Sequence, residues 1–281
     1  MNYEKEFRVE PGSKVTLDDI DAEYRGEHKN KGSAIPELEA YVKRLRDLQY
    51  LLYAESRRAL LVILQGMDGA GKDGTINHVL SAMNPQGCRV YAFKAPSVEE
   101  LAHDFLWRVS HATPRKGYVS VFNRSHYEDV LVVRVHKLVP KAIWSKRYEQ
   151  INAFERHLAD NDTQILKFYL HIDRDEQLAR IKQRLEDPKR QWKINESDFT
   201  ERQYWNDYQK AYETAISKCS TDYAPWYIIP ANRKWFRNLA VSQILVETLE
   251  SLKMKTPTPT VNIPEIKRKY HAVLEVKQNN N

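Results

Sequence analysis

Two hydrophobic periods alternate along this chain. From Ile35 to Glu55, the residues Leu38, Tyr41, Val42, Leu45, Leu48 and Leu52 recur near helical spacing, which predicts a long amphipathic helix. Beyond it, short apolar runs predict strands at Leu60–Leu64, Arg89–Phe93, Tyr118–Phe122, Ile165–Ile172 and Tyr227–Ile229. Helical periods between and after them predict helices at Gly71–Met83, Val98–His111, Tyr127–His136, Ala142–Leu158 and Trp235–Leu252. This alternation predicts an α/β fold, a five-stranded parallel sheet with helices on both faces. The stretch from Asp175 to Lys218 is charged and helical in pattern, and Asp187-Pro188 predicts a break that makes it an inserted helical hairpin. Residues 1–34 are polar and irregular in pattern, with a turn at Pro11-Gly12. The tail from Thr256 carries Pro257, Pro259 and Pro264 and ends in Asn279-Asn280-Asn281, as expected of a poorly ordered arm or a partner-binding segment. The expected organisation is an N-terminal extension over 1–56, an α/β domain over 57–255 with an insertion at about 174–218, and a tail over 256–281.

Composition narrows this only a little. A chain of 281 residues is long enough for one substantial domain with an extension, and 42% hydrophobic with 29% charged residues suits a globular protein. The longest clean apolar run, Ala59–Leu64, is far too short to span a bilayer, so no membrane role is expected. The opening Met1–Glu6 is polar and has no apolar signal region, so a cytoplasmic location is expected. Cys88 and Cys219 are too far apart in sequence for a zinc or disulfide framework and are read as packing residues. The net charge of +6 favours an anionic partner, and nucleic acid, anionic lipid and inorganic polyphosphate all satisfy it.

The chemistry begins where the first strand ends. Gly66, Gly71 and Lys72 fit the G-x-x-x-x-G-K phosphate-binding pattern between a strand and a helix. Through Gly69, Ala70, Gly71, Asp73, Gly74 and Thr75, backbone N–H groups can converge on phosphate oxygens, and Lys72 adds a mobile cation. The loop departs from the common pattern twice. Asp73 stands where a Ser or Thr ordinarily ligates magnesium, and Asp68 puts a carboxylate inside an anion cradle. Such a carboxylate repels phosphate unless a cation lies between them, so Asp68 is read as a metal ligand; the alternative is that it only braces the loop.

The third strand runs into Asn123-Arg124-Ser125-His126-Tyr127-Glu128-Asp129. Ligands bind beyond the carboxyl ends of parallel strands, which brings this segment to the Lys72 loop. Arg124 offers the fixed positive charge that phosphoryl transfer needs, and Glu128 is a substitute carboxylate for metal where Asn123 is neutral. Alternatively, Arg124 and Glu128 pair with each other on a helix. Lys94, at the end of the second strand, is a further anion-binding candidate. Arg134 is a lone charge in an apolar helix and needs either a carboxylate or a ligand phosphate. Arg180, Arg184, Lys189 and Lys193 in the insertion are either a solvated helical surface or the cations of a lid that closes over phosphates and excludes water. Trp205, Tyr208 and Tyr212 at helical spacing are read as core packing.

Several segments in this order closely resemble the type-two polyphosphate kinases. They are Gly66–Gly74, Phe93-Lys94-Ala95-Pro96-Ser97, Phe122–Asp129, Asp187-Pro188 with Gln191-Trp192-Lys193, Ala224-Pro225-Trp226 and Asn232-Arg233-Lys234-Trp235. The resemblance covers most of residues 35–255. It implies a thymidylate-kinase-like P-loop fold with a helical lid, and Mg2+-dependent, reversible transfer of the terminal phosphate of inorganic polyphosphate to a nucleotide. Asp68, Lys72 and Arg124 match the family's loop and strand residues. Asn123, with Glu128 nearby, stands where many members carry Asp. This departure resembles the branch that phosphorylates both nucleoside mono- and diphosphates, taking AMP through ADP to ATP. A homo-oligomer, dimer or tetramer, is the expected assembly, and no nucleic acid partner is expected. The rival readings are an ATP-dependent nucleotide kinase, disfavoured by Asp73 and the cationic insertion, and a non-catalytic polyanion binder, which leaves Asp68 and Glu128 unexplained.

Overall fold

The computed structural model describes residues 1–279. Its centre is β1 (Ala59–Gln65), buried along its whole length, as a run of Ala-Leu-Leu-Val-Ile-Leu requires inside a parallel sheet. Around it lie β2 (Cys88–Ala92), β3 (Val119–Asn123), β4 (Thr163–His171) and β5 (Trp226–Pro230), all parallel, in the order β2-β3-β1-β4-β5. The register sets Leu64 beside Asn123 on one side and Phe168 on the other. The ends of β1 and β3 are therefore neighbours, and the loops that leave them open into one crevice at the switch point of the sheet.

The long first helix, α1, spans Lys31–Glu55 and starts four residues before the periodicity does. A capping box between Asn30 and Ser33 sets its start, and Pro36 falls early enough in the helix to be tolerated. The remaining long helices are α2 (Lys72–His78), α3 (Arg147–Asp160), α4 (Arg174–Glu186), α5 (Trp205–Cys219), α6 (Lys234–Ser251) and α7 (Ile263–Asn279). Leu45, Leu48 and Leu52 of α1 and Phe236, Leu239, Ile244 and Leu249 of α6 are buried in one continuous core with the sheet. Trp205 and Tyr212 of α5 are buried as well, in keeping with a packing role, and Cys219 lies in the same core.

Several expected helices are shorter than their periodicity. Val98–His111 is split into Val98–Ala102 and Trp107–Ser110. His103 is extended, and the Asp104 side chain accepts from the Leu106 N–H at 2.9 Å, a local bond that competes with the helix. Tyr127–His136 is a 3-10 turn, His126–Asp129, followed by a single turn, Val132–Val135. The helix after the phosphate loop closes at His78, and a 3-10 turn follows at Leu80–Ala82.

Both chain ends depart from expectation. Tyr3 and Phe7 sit on a short helix and pack their rings on Phe236, with centroids 5.3 and 5.9 Å away. The Val9 N–H donates to Trp226 O at 2.9 Å, so the N-terminal segment covers the β5 edge. Residues 263–279 are helical where a poorly ordered arm or a partner-binding segment was expected; Asn280 and Asn281 lie outside the described residues. No helix among the described residues is long and apolar enough to cross a membrane.

Candidate active site

A cleft of about 2080 Å³ opens where the β1 and β3 loops meet, under α4 and the segment that follows it. Its floor is the loop from Gly66 to Gly71. Gly66 (φ +150°), Gly69 (φ +85°) and Gly71 (φ +103°) all hold backbone angles that side chains disfavour. A Cβ on Gly66 would lie 2.7 Å from Leu170 O on the rigid β4, so the tight exit from β1 requires glycine. Lys72 Nζ folds back to donate to Gly66 O at 2.8 Å and Met67 O at 3.3 Å. Burial, reinforced by the nearby Arg124 charge, pushes the Lys72 ammonium down to about 8, against the pull of Asp68, Glu128 and Asp73. Those three carboxylates and one guanidinium therefore surround a single lysine.

Arg124 enters from the end of β3 with φ +64°, an angle uncommon for any residue with a side chain. Its N–H donates to Leu64 O at 3.1 Å and its Nη2 donates to Asp68 Oδ1 at 2.6 Å, so backbone and side chain both tie it to the β1 loop. Burial opposes its charge, but Glu128 and Asp68 outweigh that and hold the guanidinium firmly protonated. The partner of Arg124 is thus Asp68 across the cleft, not Glu128 on a shared helix turn. Asn123 Nδ2 donates to Asp73 Oδ1 at 2.7 Å and links the two loops a second time. The Glu128 carboxylate lines the cleft and makes no hydrogen bond or ion pair among the described residues. Asp129 beside it is taken by Arg147, Nη1 to Oδ1 2.9 Å.

Beneath this turn lies a buried polar cluster. Lys167 on β4 donates to the Glu155 carboxylate of α3, to the Tyr127 hydroxyl at 2.9 Å and to Cys219 O at 2.6 Å. Tyr127 OH donates to Glu155 Oε1 at 2.9 Å, and His126 Nε2 lies 3.2 Å from the same oxygen. Burial raises the Glu155 carboxyl, but Lys167 and His126 outweigh it and hold it below the usual range. His126 and Tyr127 are thereby anchored, and with them the turn between Arg124 and Glu128.

The cations of the insertion divide. Arg184 and Lys193 line the cleft, as does Lys94 from the end of β2. Arg180 is 5% exposed and makes a different use of its charge: Nη1 donates to Gly69 O at 2.8 Å and Ala70 O at 3.0 Å, and Nη2 to Ala231 O at 2.6 Å and Asn232 O at 2.9 Å. It braces the phosphate loop from below. Lys189 is exposed and lies outside the cleft lining. Arg134 also lies outside it and has no carboxylate partner among the described residues. Its guanidinium stacks over Trp144, 5.0 Å from the ring centroid, and donates to the Tyr148 hydroxyl at 3.3 Å.

This arrangement gathers a glycine-rich loop, a lysine, an arginine paired with Asp68 and the Glu128 carboxylate, unpaired among the described residues, at the switch point of a parallel sheet. Residues 28–257 match the family described as polyphosphate kinase 2. The chain belongs to the polyphosphate kinase 2 family. It is 52% identical over 256 residues to the AMP/ADP-polyphosphate phosphotransferase of Meiothermus ruber, covering 91% of this chain and 96% of that protein. It is 48% identical to the ADP-polyphosphate phosphotransferase of Rhodopseudomonas palustris, over 91% of this chain and 93% of the relative. The crystal structure of polyphosphate kinase 2 from Arthrobacter aurescens superposes with a TM-score of 0.92 at 41% identity, covering 98% of this chain and 97% of that one. The P-loop kinase fold expected from the motifs is therefore the fold of this family member.

The sequence reading missed part of the cleft wall. Lys43 and Arg46 of α1, Arg108, and Arg233 and Lys234 before and at the start of α6 all line it. Lys43, Arg46 and Arg108 look like ordinary surface cations until the fold turns them inward, while Arg233 and Lys234 stand in a segment that carries the family resemblance without having been read as site residues. Arg237 had a better signal, as the one cation in the helical run of Trp235–Leu252, and it is 2% exposed beneath the phosphate loop.

Proposed function

We propose that this chain catalyses Mg2+-dependent, reversible phosphoryl transfer from inorganic polyphosphate to AMP and to ADP by direct in-line attack. The observation that carries the proposal is the convergence of Lys72, Arg124, Asp68 and Glu128 on one cleft with further cations along its walls. A polyanion needs such a lined channel, and an acid pair inside it needs a cation. The Meiothermus ruber relative, named for both AMP and ADP, supports the two-step acceptor range.

In this mechanism, Lys72 exchanges its contacts with Gly66 O and Met67 O for oxygens of the polymer's terminal phosphates. A terminal phosphate oxygen of the acceptor attacks as an anion, so no general base is required. One P–O bond forms to that oxygen, the anhydride P–O bond to the polymer breaks, and the chain leaves one phosphate shorter. Arg124, oriented by Asp68, stabilises the charge spread over the transferring group. Lys94, Arg184 and Lys193 hold and enclose the substrates, and the insertion at about 174–218 acts as the lid that excludes water.

The donor set fits magnesium. Glu128 is unpartnered, and Asp68 keeps one carboxylate oxygen free of Arg124. No cluster of three or more His, Cys, Asp or Glu side chains suited to a metal occurs among the described residues. Asp68 and Glu128 with substrate phosphates and water match the way Mg2+ is ordinarily held. When bound, the ion neutralises phosphate charge. A cytoplasmic homo-oligomer, dimer or tetramer, completes the reading.

The test is product analysis with purified protein, magnesium, polyphosphate and AMP, without ATP. ADP followed by ATP is expected. ADP alone would remove the diphosphate step, and transfer only when ATP is supplied as donor would make the chain an ordinary nucleotide kinase.

A further inference from the structure

The phosphate loop rests on two buried guanidinium groups. Arg180 is 5% exposed and Arg237 is 2% exposed. Arg237 lies so close beneath α2 that a Cβ on Gly71 would overlap its guanidinium, and a Cβ on Gly74 would lie 3.0 Å from its Nη2. The same Gly71 position also lies 3.6 Å from Arg180 Nη1, so both side chains crowd one spot. Their acceptors are almost all neutral. Arg237 donates from Nε and Nη2 to Asn238 Oδ1 at 3.1 and 2.8 Å, and from Nη1 to Ala70 O at 3.4 Å. Arg180 donates to four backbone carbonyls and, from Nε, to the Glu176 carboxylate at 2.6 Å. Between them the two guanidinium groups have one carboxylate partner among the described residues, Glu176 on Arg180, and Arg237 has none.

A buried charge without a counter-ion is costly, and a chain that only needed the contacts could make them with an uncharged side chain. Burial and the facing Arg180 push Arg237 down to about 9, so at neutral pH it stays charged and unpaid for by any acid. Arg237 also forms part of the cleft lining. The missing negative charge therefore lies on the cleft side of the loop.

We propose that Arg237 is a positioning residue of the phosphate loop, whose counter-ion is the polyphosphate chain bound across Gly71 and Gly74. It acts through the backbone of the loop and by its field, and it does not touch the reacting atoms. This rests on the polyphosphate reading above. One consequence is that the empty loop carries an unbalanced charge that binding relieves. A second is that Gly71 and Gly74 are needed as much for the arginine below as for the phosphate above.

Tripolyphosphate binding, measured by calorimetry, tests this on the wild-type chain, Arg237→Met and Arg237→Lys, with thermal midpoints recorded with and without the ligand. Arg237→Met is expected to keep or raise the ligand-free midpoint, to bind roughly tenfold more weakly, and to depend less on salt. Arg237→Lys keeps the charge and is expected to bind closer to wild type. In turnover, KM for polyphosphate should rise while KM for the nucleotide stays. A folded Arg237→Met that binds tripolyphosphate as tightly as wild type would overturn the inference, as would a fall in ligand-free midpoint with no change in affinity. If Arg237→Met does not fold, Arg237→Gln, which retains donors toward Asn238, carries the same comparison. Absence of tripolyphosphate binding by the wild-type chain would overturn the polyphosphate reading itself, and this inference with it.

Discussion

Replacing Lys167 by Met removes one charge from a pair with no access to solvent. Lys167 and Glu155 are both fully buried, and the ammonium serves three acceptors: Glu155, Tyr127 OH and Cys219 O. Without it, the carboxylate keeps only Tyr127 and His126 as partners, and Cys219 O loses its side-chain donor. Breaking a buried pair from one side costs about 3–5 kcal/mol, a large part of the ~5–15 kcal/mol that holds a typical domain together. Glu155→Gln combined with Lys167→Met removes both charges and should recover about 2 kcal/mol of that loss. Urea denaturation of the wild type, Lys167→Met, Glu155→Gln and the double variant measures this, read from the midpoints at constant slope. The pH dependence carries an independent sign. The wild-type Glu155 carboxyl is held below its ordinary value, so its stabilisation is present above the unfolded pKa of about 4.5 and is lost as pH falls through the folded one. In Lys167→Met, burial remains the first influence and favours the protonated carboxyl, with His126 still opposing it and the larger opposing charge of Lys167 gone. The deficit of this variant should therefore shrink as pH approaches 5. A Lys167→Met chain within about 1 kcal/mol of wild type at pH 7, or a double variant no better than the single one, would refute the reasoning.

Lys72→Met should lower phosphoryl transfer by at least about 10²-fold with the denaturation midpoint retained, since the lysine bonds only loop carbonyls when no phosphate is present; near-normal turnover would sink the P-loop assignment. Because Lys72 titrates near 8 instead of the ordinary lysine value of 10.5, tripolyphosphate affinity should weaken above pH 8 in the wild type and not in Lys72→Met. The unfolded chain holds that proton through the interval between the two values, so this lysine makes stability rise with pH there, which denaturation at pH 7.5 and 9.5 can check. Glu128→Gln should raise the magnesium concentration needed for half-maximal rate on the order of tenfold, with little change in stability. Gly66→Ala should destabilise by more than about 1 kcal/mol, because its Cβ meets a backbone oxygen of β4 at an angle only glycine adopts easily; an unchanged melting temperature would contradict this.

The sheet was legible because its signal is local. β1 is an uninterrupted apolar run followed by glycines, and such a run has few places to go except the middle of a parallel sheet. The helices after β2 and β3 were less legible. Their helical period runs across His103-Asp104 and Val130-Leu131, but the Asp104 side chain bonds the Leu106 N–H locally and the first helix ends at Ala102, while the second is a 3-10 turn followed by a single α turn. The N-terminal arm was misread for a related reason. Tyr3, Phe7 and Val9 are spread too thinly among charges to show a period, yet they find Phe236 and the β5 edge more than two hundred residues later.

The candidate site shows where sequence reasoning about charge stops. Asp68, Lys72 and Arg124 were legible as residues of one cleft because strand ends and a glycine pattern say where they are. Arg180 was legible as a cation and not as a brace. The difference is four backbone carbonyls, and carbonyls carry no sequence signal. Arg237 and Arg134 looked alike, each a lone arginine in an apolar helix, yet one lies beneath the phosphate loop and the other stacks on Trp144. What separates them is access to water. Arg134 is partly exposed and needs no acid, while Arg237 is sealed from water with only Asn238 and a loop carbonyl for company. A buried cation with that little compensation is stable only if the rest of the fold outweighs its cost, and an anion bound across the loop would offset part of that cost.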